Sequence, residues 1–158
     1  PYEVPPLDDE HVQAHQGVVE RVMRRATVLP APYGVVFRSR RSLIRMLEDQ
    51  YLVFDEGLSF LDGHWELRLH LSPASDVRPS SHLLDLSALI YTELRRLARA
   101  AVPFARGEDE PFSAAFLVER GSWLEFMERA GDMSTAHPEL SFDITGPWPP
   151  YDFVRITG

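Results

Sequence analysis

A chain of 158 residues, 44% of them hydrophobic, is long enough for one compact domain that buries roughly two-thirds of its unfolded surface. All 16 basic residues are Arg, set against 24 acids for a formal charge of -8, a field that opposes duplex nucleic acid or an anionic lipid surface. With no cysteine, disulfides, iron–sulfur clusters and thiolate chemistry are excluded, and no apolar run approaches the ~18 residues of a membrane helix.

Residues 1–10 read as a lead-in: prolines at 1, 5 and 6 favour extended backbone of the kind that follows a preceding domain. Neither a basic n-region nor an apolar h-region is present there, so a cytoplasmic protein is expected. The first residue is Pro, which points to an N-terminus further upstream. Asp8 or Asp9 can cap a helix with an acidic start and a basic end at Arg21, Arg24 and Arg25, matching the macrodipole. Val12, His15, Val19, Val22 and Met23 share one face of it. LPAPYGVVF (29–37) predicts a loop running into a short apolar strand, Tyr33 to Phe37. Ser39 or Ser42 then opens a helix with Leu43, Leu47, Tyr51, Phe54, Leu58 and Leu61 at helical spacing.

From His64 to Ser72 the chain alternates, with Trp65, Leu67, Leu69 and Leu71 on one side and Glu66, Arg68 and His70 on the other, the pattern of a strand wet on one face. A third helix is predicted from His82 to Val102, ended by Pro103, and an acidic loop lies at 106–111. Phe112 to Val118 is an apolar run short enough for a buried strand. Ser122 and Glu125 form a capping box for a helix that Gly131 ends. Leu140, Phe142 and Ile144 alternate in a last strand, and Phe153 to Ile156 is a candidate terminal one. Leaving out the first helix and treating the third as an insertion, the order βαββαβ is the ferredoxin-like pattern: an antiparallel four-stranded sheet with its first and third strands central. The expectation is therefore an α+β fold in a single domain, residues 11–158. Tyr33 to Phe37 and Ala115 to Val118 are its central strands, 64–72 and 140–145 its edges, and the first and inserted helices its second cover.

No phosphate-cradling loop, G-x-G-x-x-G or G-x-x-x-x-G-K-[ST], occurs among the nine glycines. His11 and His15 have the i, i+4 spacing of two metal ligands, but His15 falls on the apolar face and no third ligand is indicated, so the structural reading is preferred and no cofactor is expected. A Ser–His hydrolase lacks the G-x-S-x-G elbow. The arginines at 38, 40, 41 and 45 are the strongest basic cluster; a solvated helix start accounts for them. The remaining feature is TGPWPPYDFV (145–154), whose three prolines forbid helix and central strand while its aromatics call for a packed clamp or a partner.

Three segments, AHQGVVERVMRRATVLPAPYGVVF (14–37), AAFLVERGSWLEFM (114–127) and LSFDITGPWPPYDFV (140–154), resemble in order and spacing the GvpL/GvpF family of gas vesicle accessory proteins. The resemblance covers about residues 7–154, and GPWPPY is its most specific motif. It implies a non-enzymatic assembly factor in the cytoplasm, associated with gas vesicles and binding the shell protein and other accessory proteins. It also implies that an N-terminal lobe is largely absent. Departures are Pro32 and Tyr33 where Arg and Phe are usual, a shortened region from Ser72 to Glu110, and Asp152 for a usual Ser. Pro147, Trp148, Pro149, Pro150, Tyr151 and Phe153, with Leu29, Pro30, Tyr33 and Gly34, are expected to form a partner-binding or structural corner, with Trp148 substantially buried. A small-ligand sensor on a ferredoxin-like frame is the alternative. Nucleic acid and lipid membrane are not expected partners, and the oligomeric state is left open.

Overall fold

The computed structural model describes residues 5–104 and 112–154. The chain divides into two compact units, residues 1–62 with 149–158, and residues 63–148. The first unit holds three helices: α1 (Asp9–Met23), α2 (Arg40–Asp49) and α3 (Tyr51–Leu61). Asp8 caps α1 by accepting the His11 backbone N–H at 2.9 Å, and Arg21 completes the expected charge match at its end. Ser39 and Ser42 cap α2 reciprocally. Gln50, at φ -110° and ψ 18°, interrupts what the spacing predicted as one helix.

The second unit contains β1 (His64–Pro73), α4 (Ser81–Arg95), β2 (Ala100–Pro103), β3 (Phe112–Glu119), α5 (Trp123–Ala136) and β4 (Leu140–Trp148). Its sheet runs β2-β3-β1-β4, antiparallel at every pairing. This is the βαββαβ pattern with first and third strands central, and the α+β class holds. Register puts Leu67 opposite Phe116 and Leu69 opposite Ala114. The core forms where these side chains meet Leu86, Ile90 and Leu94 of α4 and Phe126 and Met133 of α5. Phe116 and Phe126 are fully buried, with ring centroids 5.3 Å apart; burying each such ring contributes about 1.5–3 kcal/mol.

Several assignments differ from the expectation, each for a local reason. Tyr33 to Phe37 is not a strand: Gly34 takes φ +89°, Val35 N–H reaches back to the Pro32 carbonyl at 3.4 Å, and Val35 and Val36 stay exposed. A five-residue apolar run does not by itself distinguish a strand from a turn. The missing strand is β2, which the periodicity assigned to the end of a helix because Ala101 continues the α4 stripe. Helix α4 stops at Arg95, and the short edge strand ends on Pro103, where a lost donor costs little. Consequently β1 is central, not an edge, and α4 is the first crossover helix, packed with α5 on one core. Ser122 makes no side-chain cap bond, and α5 runs past Gly131 to Ala136. The acidic loop at 106–111 and half of the candidate terminal strand lie outside the described residues; Tyr151–Phe153 is one 3-10 turn.

Candidate functional site

Strand β4 runs into the proline segment itself, whose first residues, Thr145 to Trp148, are the strand's last. Glu66 pairs with Trp148 and Arg68 with Thr145, so the register shifts by one residue between them, a bulge on an edge strand that accommodates Gly146 and Pro147. The Gly146–Pro147 bond is cis and Gly146 has φ +132°, a region that favours glycine. A Cβ there would stand 2.8 Å from the Glu66 carbonyl oxygen.

Beyond the bulge, Trp148 is half-buried, with most of its surface covered as expected. Its indole N–H donates to Thr145 Oγ1 at 3.0 Å. The Arg68 guanidinium carbon lies 5.7 Å from its ring centroid, within cation–π range. Arg68 Nε in turn donates to Glu66 Oε1 at 2.9 Å, and the Glu66 side chain is 0% exposed against 37% for Arg68. Glu66 was assigned to a wet face by strict alternation. Opposite charges two residues apart on one face of a strand were the signal that this face carries an ion pair.

Of the other expected corner residues, Pro147 is exposed and belongs with Trp148 to the second unit, while the rest belong to the first. Pro149 and Pro150 are buried, Tyr151 and Phe153 half-buried. Pro150, at φ -77° and ψ 55°, centres an inverse γ-turn closed by Tyr151 N–H on the Pro149 carbonyl at 2.7 Å. The proline pair does turn the chain. In the 29–34 loop, Leu29 packs on α3, where a Cβ at Gly57 would lie 3.2 Å from Leu29 Cδ2. Pro30 is buried and Gly34 half-buried. Tyr33 donates its hydroxyl to the Pro6 carbonyl at 2.6 Å and meets the His15 ring edge-on at 5.6 Å. Partial desolvation, with Asp8 nearby, raises the Tyr33 pKa.

His15 Nε2 lies 3.0 Å from the Ala31 carbonyl oxygen, and His11 Nδ1 lies 2.7 Å from Asp8 Oδ1. The two imidazoles thus have separate structural partners, and among the described residues no three His, Asp or Glu side chains cluster as a metal site. His70 Nδ1 lies 2.7 Å from Ser113 Oγ on an exposed stretch of sheet. An open cleft of about 340 Å³ between α4 and α5 is lined chiefly by charged side chains, with Glu93 bridging Arg96 at 2.9 Å and Arg129 at 3.7 Å.

Bulge, fixed indole and split βαβ sheet define an α+β protein whose distinctive feature is the braced exit of its last strand. The sequence profile of the gas vesicle synthesis protein GvpL/GvpF family matches residues 2–84 and 83–155, and the chain belongs to that family. It is 27% identical over 162 residues to gas vesicle protein F1 of Halobacterium salinarum, covering 96% of this chain and 72% of that protein. Against gas vesicle protein L of a Streptomyces species it is 26% identical over 185 residues, covering 91% and 68%. The crystal structure of GvpF from Anabaena superposes with a TM-score of 0.83 at 18% identity, covering 98% of this chain and 78% of that one. GvpF from Microcystis aeruginosa gives 0.78 at 15%, covering 98% and 82%. At those identities the structural likeness establishes the fold. Among the described residues no helix is long and apolar enough to cross a membrane.

Proposed function

We propose that this chain acts in gas vesicle assembly without catalysing a reaction, in the cytoplasm, by binding the shell protein and other accessory proteins at the vesicle. Pro147 to Phe153 provide the recognition segment, and Leu29, Pro30, Tyr33 and Gly34 contribute the stiff loop of the first unit. The observation that carries this reading is the half-open indole of Trp148, held between Thr145 and the Arg68–Glu66 pair. A large aromatic fixed before a partner arrives loses little freedom on binding, which is the property of an interface anchor. Family membership supplies the setting.

The test is co-expression with the gas vesicle shell protein followed by pull-down, comparing the native chain with Trp148→Ala. The native chain is expected to retain the shell protein and the variant to lose at least about tenfold in affinity, an anchor's worth of ~1.4 kcal/mol or more. If neither form of the full chain associates with the shell protein, the proposal is wrong.

A further inference from the structure

Helices α2 and α3 carry apolar side chains at helical spacing. Ile44 and Leu47 on α2 and Tyr51, Phe54 and Leu58 on α3 recur every three or four residues within each helix, the spacing that keeps side chains on one helix face. Four of these five are exposed, Tyr51 to 63%. Leu52, 72% exposed, and Val53 widen the patch. So many large apolar groups within fifteen residues mark an interaction surface rather than scattered exposure.

Charge along the same helices is segregated. Residues 38–47 contain Arg38, Arg40, Arg41 and Arg45 and no acid; residues 48–56 contain Glu48, Asp49, Asp55 and Glu56 and no base. All eight are exposed, and among the described residues none is joined to another group by a hydrogen bond or ion pair. Within α2 the order runs against the macrodipole, which favours acids at the start and bases at the end. The arrangement is therefore not explained by the stability of the helix that bears it.

The surface is, however, its own complement. Arg38, Arg40, Arg41 and Arg45 stand at one end and Asp55 and Glu56 toward the other, with Glu48 and Asp49 among the apolar groups between them; the outer charges match a second copy laid antiparallel. We propose that α2 and α3 form the face through which two copies of this chain associate about a two-fold axis near Tyr51. Such an isologous contact sets Ile44 of one copy against Leu58 of the other, and Arg41 and Arg45 against Asp55 and Glu56. It also opposes the helix dipoles of the two copies. The chain's net charge of -8 repels copies in general, so a local, oppositely signed match is what allows them to meet.

Sedimentation equilibrium of the full chain over a range of concentrations reads the prediction directly. The native chain is expected to dimerise. R41E/R45E and D55R/E56R are each expected to weaken dimerisation at least tenfold, because each sets like charges against one another at both symmetric contacts. An equimolar mixture of the two variants restores attraction at both contacts and is expected to form a heterodimer of native affinity, which also demonstrates that both variants are folded. Tyr51→Arg, at the axis, is expected to abolish association with every partner copy. A native chain that remains monomeric at every concentration overturns the proposal, as does a dimer insensitive to the swaps. So does a monomer whose α2–α3 face becomes protected only when another gas vesicle protein is added, which assigns the face to that partner.

Discussion

A methyl group at Gly146 would meet the Glu66 carbonyl oxygen at 2.8 Å and Leu67 Cδ2 at 3.0 Å, on a backbone with φ +132°. Carbonyl oxygen of a central strand cannot move aside as a flexible side chain can, so Gly146→Ala is expected to lower unfolding free energy by about 1–3 kcal/mol. Gly17, within α1, has nothing within 4 Å of an added Cβ, and Gly17→Ala there is expected to raise it by about 0.5–1 kcal/mol. Urea titrations of the two variants check both signs; equal effects would remove the steric account of the bulge. At this scale the stiffness of the proline segment was legible in the sequence, because proline acts through its own ring. The bracing of Trp148 by Arg68 and Glu66 was not. Alternation tells which face of a strand a side chain occupies, not what stands over that face, and the one-residue bulge that aligns Trp148 with Glu66 leaves no mark in periodicity.

At the scale of elements, the N-cap of α1 carries a pH signature. Asp8 has its pKa lowered below the ordinary 3.8, first by accepting the His11 backbone N–H and then by its side-chain contact with His11. A carboxyl whose folded pKa is depressed adds stability that is complete above its unfolded value and disappears as pH falls through the folded one. Amide exchange in the first turn of α1 should therefore accelerate when pH is taken below 3.8, after correction for intrinsic rates. Asp8→Asn keeps a capping acceptor and should flatten that dependence, whereas Asp8→Ala should leave the turn frayed at every pH. Unchanged acid behaviour in Asp8→Asn would place the effect elsewhere. Caps and stripes of this kind are local, which is why α1, β1, β3 and β4 were legible with bounds close to those observed. The strand expected at Tyr33 to Phe37 and the true second strand, Ala100 to Pro103, were misassigned because partnership is non-local. Tyr33 to Phe37 has strand composition but no neighbour, and Ala100 to Pro103 has a neighbour, β3, but an alanine-rich composition that continues a helical stripe.

For the whole molecule, apolar burial is unequal. The core cluster of fifteen buried residues lies entirely within residues 67–140, in the second unit, whereas Val19 and Leu61 are the buried core hydrophobics of the first among the described residues. Local opening free energies follow buried contacts and enclosed backbone hydrogen bonds. Native-state hydrogen exchange should then find the slowest amides in β1 and β3, whose core-facing side chains are almost all buried, and the fastest helical amides in α2 and α3, where none or one residue is buried. Phe116→Ala, which empties the centre of the second unit's core, is expected to cost about 3–5 kcal/mol and to raise exchange throughout β1 and β3 together. The same measurement separates an intrinsically loose α2–α3 from one that awaits its counterpart. Intrinsic looseness predicts exchange independent of protein concentration. Association of two copies through Tyr51 predicts that α2–α3 amides slow as concentration rises while β1 and β3 keep their rates, and that R41E/R45E returns the helices to the fast limit.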